Sequence, residues 1–175
     1  TFVIAVLIAA TTQAAPITFN DLASLQRIGA PRLSPDGKWI AYDASNIDMA
    51  ANYRRSAIYL IPAGGGAARQ ISDGSKQDEG PAWSPDGKLI AYVSNRDGDP
   101  KQVYLYDVAA GTTRKLTSLR GGAGSVKWSP DGKAVVFVSD VYPDWGVAVE
   151  CTRMAAGDLQ SPPRKAGIMK SLLFR

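Results

Sequence analysis

The apolar and polar positions of this chain follow one pattern that occurs three times. In each copy a short apolar segment leads into the polar sequence Ser-Pro-Asp-Gly-Lys, and a strongly apolar segment follows it. The copies span residues 33–42, 83–92 and 128–137, and their turns are separated by 50 and then 45 residues. Self-similarity at a period of this size indicates a repeat architecture, and a period near its upper range is typical of propeller blades.

The chemistry of the turn predicts what each copy contributes. Pro85 pre-sets the backbone for the second position of a tight turn, Asp86 suits the third, and Gly87 accepts the left-handed conformation that follows. Such a turn joins two antiparallel strands. The segment after it, residues 89–94, is apolar on both alternating faces. This pattern predicts a strand that neighbouring sheets cover on both sides.

The second copy predicts a complete four-stranded unit. After a turn-rich connection, residues 102–108 have the pattern of a third strand, and residues 113–117 have that of a short polar edge strand. Four antiparallel strands in about 45 residues form one propeller blade. We therefore predict an all-β fold, a partial β-propeller of four-stranded antiparallel blades.

The predicted propeller spans residues 15–140, with blades at about 31–72, 80–117 and 125–140. The third blade is predicted to break off after its second strand, near Asp140, and residues 141–175 are predicted to form a partly helical or irregular insertion. Propellers close with four to eight blades. Two complete blades and part of a third are thus expected to be a piece of a larger ring.

The first fifteen residues have the pattern of a targeting segment. An uncharged apolar run, residues 2–10, precedes the small and polar residues 11–15. This is typical of a secretory signal peptide with cleavage after Ala14, and the run is shorter than the about 20 apolar residues of a membrane-spanning helix. We expect residues 1–14 to be a signal peptide and the protein to be periplasmic or secreted, without stable membrane insertion after cleavage.

Composition excludes several classes of function. The formal net charge is +4 and basic residues are scattered among acidic ones, which argues against nucleic-acid binding. The chain has no histidine, so it cannot assemble a Ser-His-Asp or Cys-His site and lacks the commonest zinc ligand. Its single cysteine, Cys151, cannot form a disulfide within the chain. With no Gly-x-Ser-x-Gly nucleophile elbow either, we expect no catalytic residue, no cofactor and no metal.

Two kinds of loop resemble ligand sites, and we interpret both as connections. Asp97-Gly98-Asp99 resembles an oxygen-rich calcium loop but lacks the spaced acidic ligands and the distal Glu of such loops. The glycine-rich segments 64–66 and 121–124 resemble phosphate cradles, but neither is followed by Lys-Ser/Thr or opens a helix.

Two sets of residues occupy equal places in the repeat, and equal placement favours a structural role over a ring of functional groups. Asp36, Asp86 and Asp131 are predicted to shape the turns. Trp83 and Trp128, which precede their turns identically, are predicted to lie in the core between blades.

Asp78-Glu79 is the acidic pair with the greatest functional interest. Paired carboxylates near a channel mouth could hold the amino terminus of a substrate. We nevertheless interpret the pair as part of a solvated loop that leads into a strand.

Two segments outside the turns resemble a known family. Residues 21–28 have the pattern Asp-Leu-x-x-Leu-x-Arg-Ile, and residues 141–144 are Val-Tyr-Pro-Asp. Together with the turns, these segments resemble bacterial prolyl oligopeptidase-family serine peptidases, above all their acylaminoacyl-peptidase and dipeptidyl-aminopeptidase branches. Residues 145–175 resemble an insertion in those peptidases.

The resemblance implies that the chain is the non-catalytic propeller of an exported serine peptidase that acts on short peptides. In that family the propeller caps an α/β-hydrolase domain and restricts access to it. The catalytic Ser, Asp and His of the family have no matching positions in this chain. The Ser-Pro-Asp-Gly turns also occur in TolB-type periplasmic propellers, so a non-enzymatic propeller that binds partner proteins is the alternative.

Overall fold

The computed structural model describes residues 16–29, 31–98, 100–141 and 167–169. The predicted signal peptide, Cys151 and most of the predicted insertion lie outside the described residues. The elements in the described part are α1 (Phe19–Ser24), β1 (Arg27–Ile28), β2 (Arg32–Leu33), β3 (Trp39–Asp48), β4 (Tyr53–Pro62), β5 (Arg69–Gln70), β6 (Asp78–Trp83), β7 (Leu89–Ser94), β8 (Gln102–Asp107), β9 (Thr112–Lys115), β10 (Gly124–Trp128), β11 (Val135–Val141) and β12 (Gly167–Met169).

The strands form three antiparallel sheets, which we call blades 1, 2 and 3. Blade 1 has β3, β4 and β5 in order, and β1 and β2 both pair with β3 where a single inner strand would lie. Blade 2 has the order β6-β7-β8-β9, and blade 3 has the order β10-β11-β12. Each Ser-Pro-Asp-Gly-Lys turn joins an inner strand to the second strand of its blade. The predicted fold, a partial propeller of antiparallel blades, is confirmed.

Blade 2 is covered on both faces, as its apolar pattern predicts. Successive side chains along a strand alternate between the faces of the sheet. Along β7, Ile90 and Tyr92 therefore pack against blade 1, whereas Ala91 and Val93 pack against blade 3, and all four are 5% exposed or less.

The two interfaces between blades are the hydrophobic core. Between blades 1 and 2 the buried residues are Ala41, Ile58, Leu60, Ile90, Tyr92, Tyr104 and Tyr106. Between blades 2 and 3 they are Ala91, Val93, Val103, Leu105, Leu119, Ala123, Val126, Val135 and Phe137. Burial of one large apolar side chain contributes about 1.5–3 kcal/mol relative to its exposure. The apolar burial that stabilises the fold is therefore concentrated between blades.

Both interfaces also contain the same hydrogen bond. The Trp83 indole Nε1 donates to the Arg32 carbonyl oxygen at 2.9 Å, and the Trp128 Nε1 donates to the Ala82 carbonyl oxygen at 3.0 Å. Arg32 and Ala82 hold the same place in the repeat, one residue before the tryptophan position. The tryptophans, which pack partly buried against the apolar clusters, thus link each blade to the inner strand of the preceding one.

The boundaries of blades 1 and 3 differ from those predicted. β1 pairs with the far end of β3, at Ser45 and Ala44, so blade 1 begins before residue 31. β12 pairs with β11, so blade 3 does not end after its second strand near Asp140. Strands of two or three residues are too short to show an alternating pattern, which explains why the sequence did not predict them.

The helix α1 begins at a capping box. Thr18 Oγ1 accepts a hydrogen bond from the Asp21 amide at 3.2 Å, and Asp21 Oδ2 accepts one from the Thr18 amide at 2.8 Å. Such reciprocal bonds satisfy amides that have no partner in the first turn. Ala23 is the buried residue of this short helix.

The inner strands of blades 2 and 3 share an irregularity at the same place in the repeat. The register of pairing between the inner strand and the second strand shifts between Glu79 and Ala82 in blade 2. It shifts between Gly124 and Lys127 in blade 3. Inside this bulge Gly80 has a φ of 63° and Ser125 has a φ of 50°. Glycine adopts this left-handed conformation without steric cost, whereas a residue with a Cβ does not. Blade 3 therefore holds backbone strain where blade 2 has none.

Exchanging the residue types at the bulge should change stability in opposite directions. Ser125→Gly relieves the strain, and we expect it to raise the free energy of unfolding by about 0.5 kcal/mol. Gly80→Ala introduces the strain in open space, where no atom lies within 4 Å of the added Cβ, and should cost about 0.5–1 kcal/mol. Thermal unfolding checks both values. The control is Ser118→Gly, at an exposed residue whose φ is not positive, and stabilisation by this control would contradict the assignment to strain.

Candidate functional site

The three repeat aspartates form identical hydrogen-bond patterns in their turns. In each turn the aspartate Oδ1 accepts from the preceding serine hydroxyl at 2.5–2.6 Å and from the following lysine amide at 3.1 Å. The serine hydroxyl oxygen in turn accepts from the first amide after the turn at 2.9 Å. Both carboxylate and hydroxyl are used to close the turn. This supports the predicted structural role of Asp36, Asp86 and Asp131.

These hydrogen bonds also affect the acidity of the three aspartates. The serine hydroxyl, followed by the lysine amide, lowers the pKa of each carboxyl from its ordinary value of 3.8. The side chains are exposed, and Lys38 and Lys88 lie 3.9 and 3.7 Å from the carboxylates of their own turns. A carboxyl with a lowered pKa is ionised at neutral pH, so these groups are acceptors and not proton donors.

Asp78 and Glu79 do not form the solvated acidic pair that the sequence suggested. Both lie in β6, where adjacent side chains alternate between faces. Asp78 is opposite Ser94, on the side of blade 1, and is 1% exposed, whereas Glu79 is opposite Val93, on the side of blade 3. Their carboxylates therefore point to opposite faces. The loop interpretation was wrong because the strand begins at Asp78, two residues before the predicted start of the blade at residue 80.

Each of the two carboxylates already has its own partners. Asp78 Oδ2 accepts from the Gly74 amide at 2.9 Å, and Asp78 Oδ1 lies 3.7 Å from Arg96 Nη2. Glu79 Oε2 lies 2.6 Å from Lys101 Nζ. Because every charge is paired with a cation of the protein, the pair is not arranged to hold the amino group of a substrate.

Arg96 is the centre of a polar cluster at the edge of blade 2 opposite the turns. Its guanidinium donates to the hydroxyl of Tyr92 and to Ser94 Oγ, the latter at 3.3 Å. Its Cζ lies 4.6 Å from the ring centroid of Tyr104 and 5.5 Å from that of Tyr92, which are cation–π distances. The guanidinium thus connects the loop between β7 and β8 to both middle strands.

Asp97 extends the same cluster. Its Oδ2 accepts from the Tyr104 hydroxyl at 2.6 Å and from Lys115 Nζ at 2.9 Å. These two hydrogen bonds lower the pKa of Asp97, the tyrosine being the larger cause. Burial, followed by the bond to Asp97, raises the pKa of Tyr104, so the phenol keeps its proton and donates it. The cluster joins the loop to the outer strand β9.

The arrangement of this cluster fits a structural fastening better than a reactive site. Two carboxylates and two cations neutralise one another, and both tyrosine hydroxyls are committed to charged partners. Asp97, which resembled a calcium ligand, is held by Tyr104 and Lys115 instead, and no group of three potential metal ligands occurs among the described residues. The glycine-rich segments 64–66 and 121–123 lie in strand connections, as predicted, whereas Gly124 is the first residue of β10.

Sequence reasoning did not identify Arg96, Tyr92 or Tyr104 as a cluster. The available signal was the alternation, which places Tyr92 and Tyr104 on one face of adjacent strands, on either side of the loop that contains Arg96. In the part of the chain that the structure describes, none of the helices is long and apolar enough to cross a membrane.

Comparison with known proteins identifies the repeat. The family model of the TolB beta propeller domain matches residues 12–160. The chain belongs to this family.

Two curated relatives of this TolB-type propeller are peptidases by name. The uncharacterized peptidase YuxL of Bacillus subtilis is 32% identical over 89 residues, which are 51% of this chain and 14% of that protein. Dipeptidyl-peptidase 5 of Porphyromonas endodontalis is 30% identical over 93 residues, 53% of this chain and 14% of that protein. The chain thus matches about one seventh of the length of these relatives.

A solved structure shows the same fold. The acylaminoacyl peptidase of Pyrococcus horikoshii superimposes with a TM-score of 0.58 at 20% identity, over 69% of this chain and 18% of that one. At this level of identity the comparison supports the propeller architecture.

The Arg96 cluster yields a prediction about stability. Arg96→Gln leaves the buried Asp78 without its cation, and we expect it to cost about 2–3 kcal/mol, below the range for a fully buried pair because Arg96 is 18% exposed. Asp78→Asn added to Arg96→Gln removes the uncompensated charge and should recover about 1 kcal/mol. Urea unfolding of both variants checks this. A double variant less stable than Arg96→Gln would contradict it.

The turn aspartates yield a prediction about pH. Since their pKa values are lower in the folded than in the unfolded state, the stability they add is present above about pH 4 and is lost as the pH falls. Replacing Asp36, Asp86 and Asp131 together by Asn should reduce the loss of thermal stability between pH 6 and pH 3. It should not abolish the loss, because hydrogen bonds also lower the pKa values of Asp21, Asp73 and Asp97. An unchanged pH profile would contradict the prediction, and Asp140→Asn, at an exposed residue outside the turns, is the control.

Proposed function

We propose that this chain is the non-catalytic propeller part of an exported serine peptidase that acts on short peptides. In this proposal the propeller limits access to an α/β-hydrolase domain that supplies the catalytic Ser, Asp and His. The observation that carries it is the match to two peptidases of which the chain spans only about one seventh.

The chemistry of the chain supports this division of labour. It contains no histidine, and the charged cluster of blade 2 is internally neutralised. Acyl transfer by a Ser-His-Asp site needs a histidine as the general base, which this sequence does not provide. What the chain does provide is a stack of blades in which Arg96 and Asp97 fasten the loop between β7 and β8. A rigid wall of this kind suits a role in excluding large substrates.

The proposal predicts different activities for the chain and for the natural protein that contains it. The purified chain should hydrolyse neither acyl-peptide nor dipeptidyl p-nitroanilides. The natural protein, captured with an antibody against this chain, should hydrolyse at least one of them and react with a fluorophosphonate. It should cleave short peptides but not a folded protein with the same cleavable end. Turnover that follows the pure chain through gel filtration would overturn the proposal.

The alternative is a non-enzymatic TolB-type propeller that binds partner proteins on its faces. The family match itself favours it, since the model that covers residues 12–160 is the TolB propeller domain. The same antibody capture separates the two functions. A natural protein that is unreactive toward fluorophosphonate and co-purifies with a partner at constant stoichiometry would support the alternative and not the peptidase.

A further inference from the structure

The chain contains five Asp-Gly pairs, a dipeptide whose main chain can rearrange slowly without an enzyme. Glycine has no Cβ to shield its amide nitrogen, so this nitrogen can attack the side-chain carboxyl of the aspartate and close a succinimide ring. The five pairs are residues 36–37, 73–74, 86–87, 97–98 and 131–132, and the structure describes all of them. Because the residue after the aspartate is glycine in every pair, the surroundings of each pair decide which of them reacts.

In four of the pairs the glycine amide is bound to a main-chain carbonyl. In the three repeat turns it donates to the carbonyl oxygen of the serine that opens the turn, at 2.9–3.0 Å. Gly98 donates likewise to the Asn95 carbonyl oxygen at 2.9 Å. A main-chain carbonyl is too weak a base to take the proton of an amide. These four nitrogens are therefore held in tight turns without activation.

Gly74 differs from the other four glycines because its amide donates to a carboxylate. The acceptor is Asp78 Oδ2, at 2.9 Å. Asp78 is 1% exposed, and its Oδ1 lies 3.7 Å from Arg96 Nη2. The carboxylate is thus fixed beside the nitrogen. It can take the amide proton as the nitrogen attacks, which is the role of a general base.

The surroundings of Asp73 suit the other half of the reaction. Its Oδ2 accepts hydrogen bonds from the Ser75 amide, at 3.2 Å, and from the Ser75 hydroxyl. Donors at this oxygen stabilise the charge that develops on the carboxyl during attack. The Gln70 side-chain amide donates to the main-chain carbonyl oxygen of Asp73 at 3.2 Å. Water must add at this second carbonyl if the ring is to open to isoaspartate.

We propose that Asp73-Gly74 is a site of spontaneous isomerisation to isoaspartate, with Asp78 as the general base. The Gly74 nitrogen bonds to Cγ of the protonated Asp73 carboxyl while its own proton moves to Asp78. The bond from Cγ to the hydroxyl then breaks, and the hydroxyl leaves as water with that proton.

Ring opening completes the isomerisation. Water adds to the main-chain carbonyl carbon of Asp73, the bond from this carbon to the Gly74 nitrogen breaks, and the nitrogen remains linked to Cγ. The reaction needs no reactant other than water, and it does not depend on the proposed peptidase function. The Ser75 hydroxyl lowers the pKa of Asp73, so little of its carboxyl is protonated at neutral pH and the reaction is slow.

The site lies in the connection between blades 1 and 2, where the main chain has no slack. A Cβ added at Gly74 would lie 3.0 Å from the Ala57 Cβ of blade 1 and 2.8 Å from Gln70 Nε2. An isoaspartyl link adds one atom to the main chain next to this contact. We therefore expect isomerisation to break the hydrogen bond from Gly74 to Asp78 at the start of β6.

The test is to age the whole chain at neutral pH and to measure isoaspartate at each pair by tryptic mapping and enzymatic methylation. Trypsin places the pairs in five separate peptides, 33–38, 70–76, 77–88, 97–101 and 128–133. In the folded chain the 73–74 pair should react at least about tenfold faster than each of the others, which react only when their turns open. In guanidinium chloride the five rates should agree within about threefold, because unfolding removes both the base and the turns.

Two substitutions of equal size test the general base. Asp78→Asn keeps an acceptor for the Gly74 amide but removes the basic oxygen, and should lower the rate at 73–74 about tenfold or more. Glu79→Gln is the matched control, since Glu79 pairs with Lys101 on the other face of β6, and it should react like the wild type. The other four pairs in each variant report on the fold, because unfolding would raise all their rates together.

Two results would overturn the proposal. One is a folded wild type in which the 73–74 pair reacts no faster than the other four. The other is an Asp78→Asn chain that stays folded and isomerises at the wild-type rate. If Asp78→Asn unfolds the chain, the comparison of the folded with the denatured wild type still decides.

Discussion

The packing of one blade on the next is the interaction on which the rest of this structure depends. A single four-stranded sheet has two apolar faces and cannot bury either of them alone. Blade 2 buries both of its faces, because Ile90 and Tyr92 pack against blade 1 and Ala91 and Val93 pack against blade 3. Stability in such stacks is approximately a sum of repeat and neighbour terms, so each blade depends on contacts that it does not itself contain.

The indole-to-carbonyl hydrogen bond gives this packing its geometry. Apolar contact is non-directional and would tolerate sliding of one sheet over another. A donor at Trp83 or Trp128 that reaches one carbonyl of the preceding inner strand favours a single offset between blades. The bulges at Gly80 and Ser125 interrupt regular pairing in those inner strands. Because the tryptophan and the carbonyl hold the same places in each repeat, the two interfaces have the same hydrogen bond between neighbouring blades.

The polar cluster around Arg96 shows how such a scaffold can hold a rigid loop without a catalytic site. The charges of Asp78 and Asp97 are balanced by Arg96 and Lys115, and the tyrosine rings shield the guanidinium. Perturbed pKa values often mark functional sites, but ion-pair networks of a structural kind perturb them as well. Here the geometry favours the second explanation. A loop held in place by these contacts suits the proposed role of limiting access to the hydrolase domain. A surface that excludes large substrates must keep its shape when they collide with it.

The sequence by itself determined the blade, because its signals are local. The turn chemistry of Pro85, Asp86 and Gly87 and the two-sided apolar pattern of β7 act within ten residues, and their recurrence predicted the fold. Only the tertiary structure decided the partners of Asp78 and of the tryptophans. Trp83 bonds to a carbonyl 51 residues away, and Asp78 meets an arginine across the sheet. Such contacts depend on which faces of the sheets are stacked and on where a short strand begins. Neither of these produces a periodic pattern of apolar residues in the sequence.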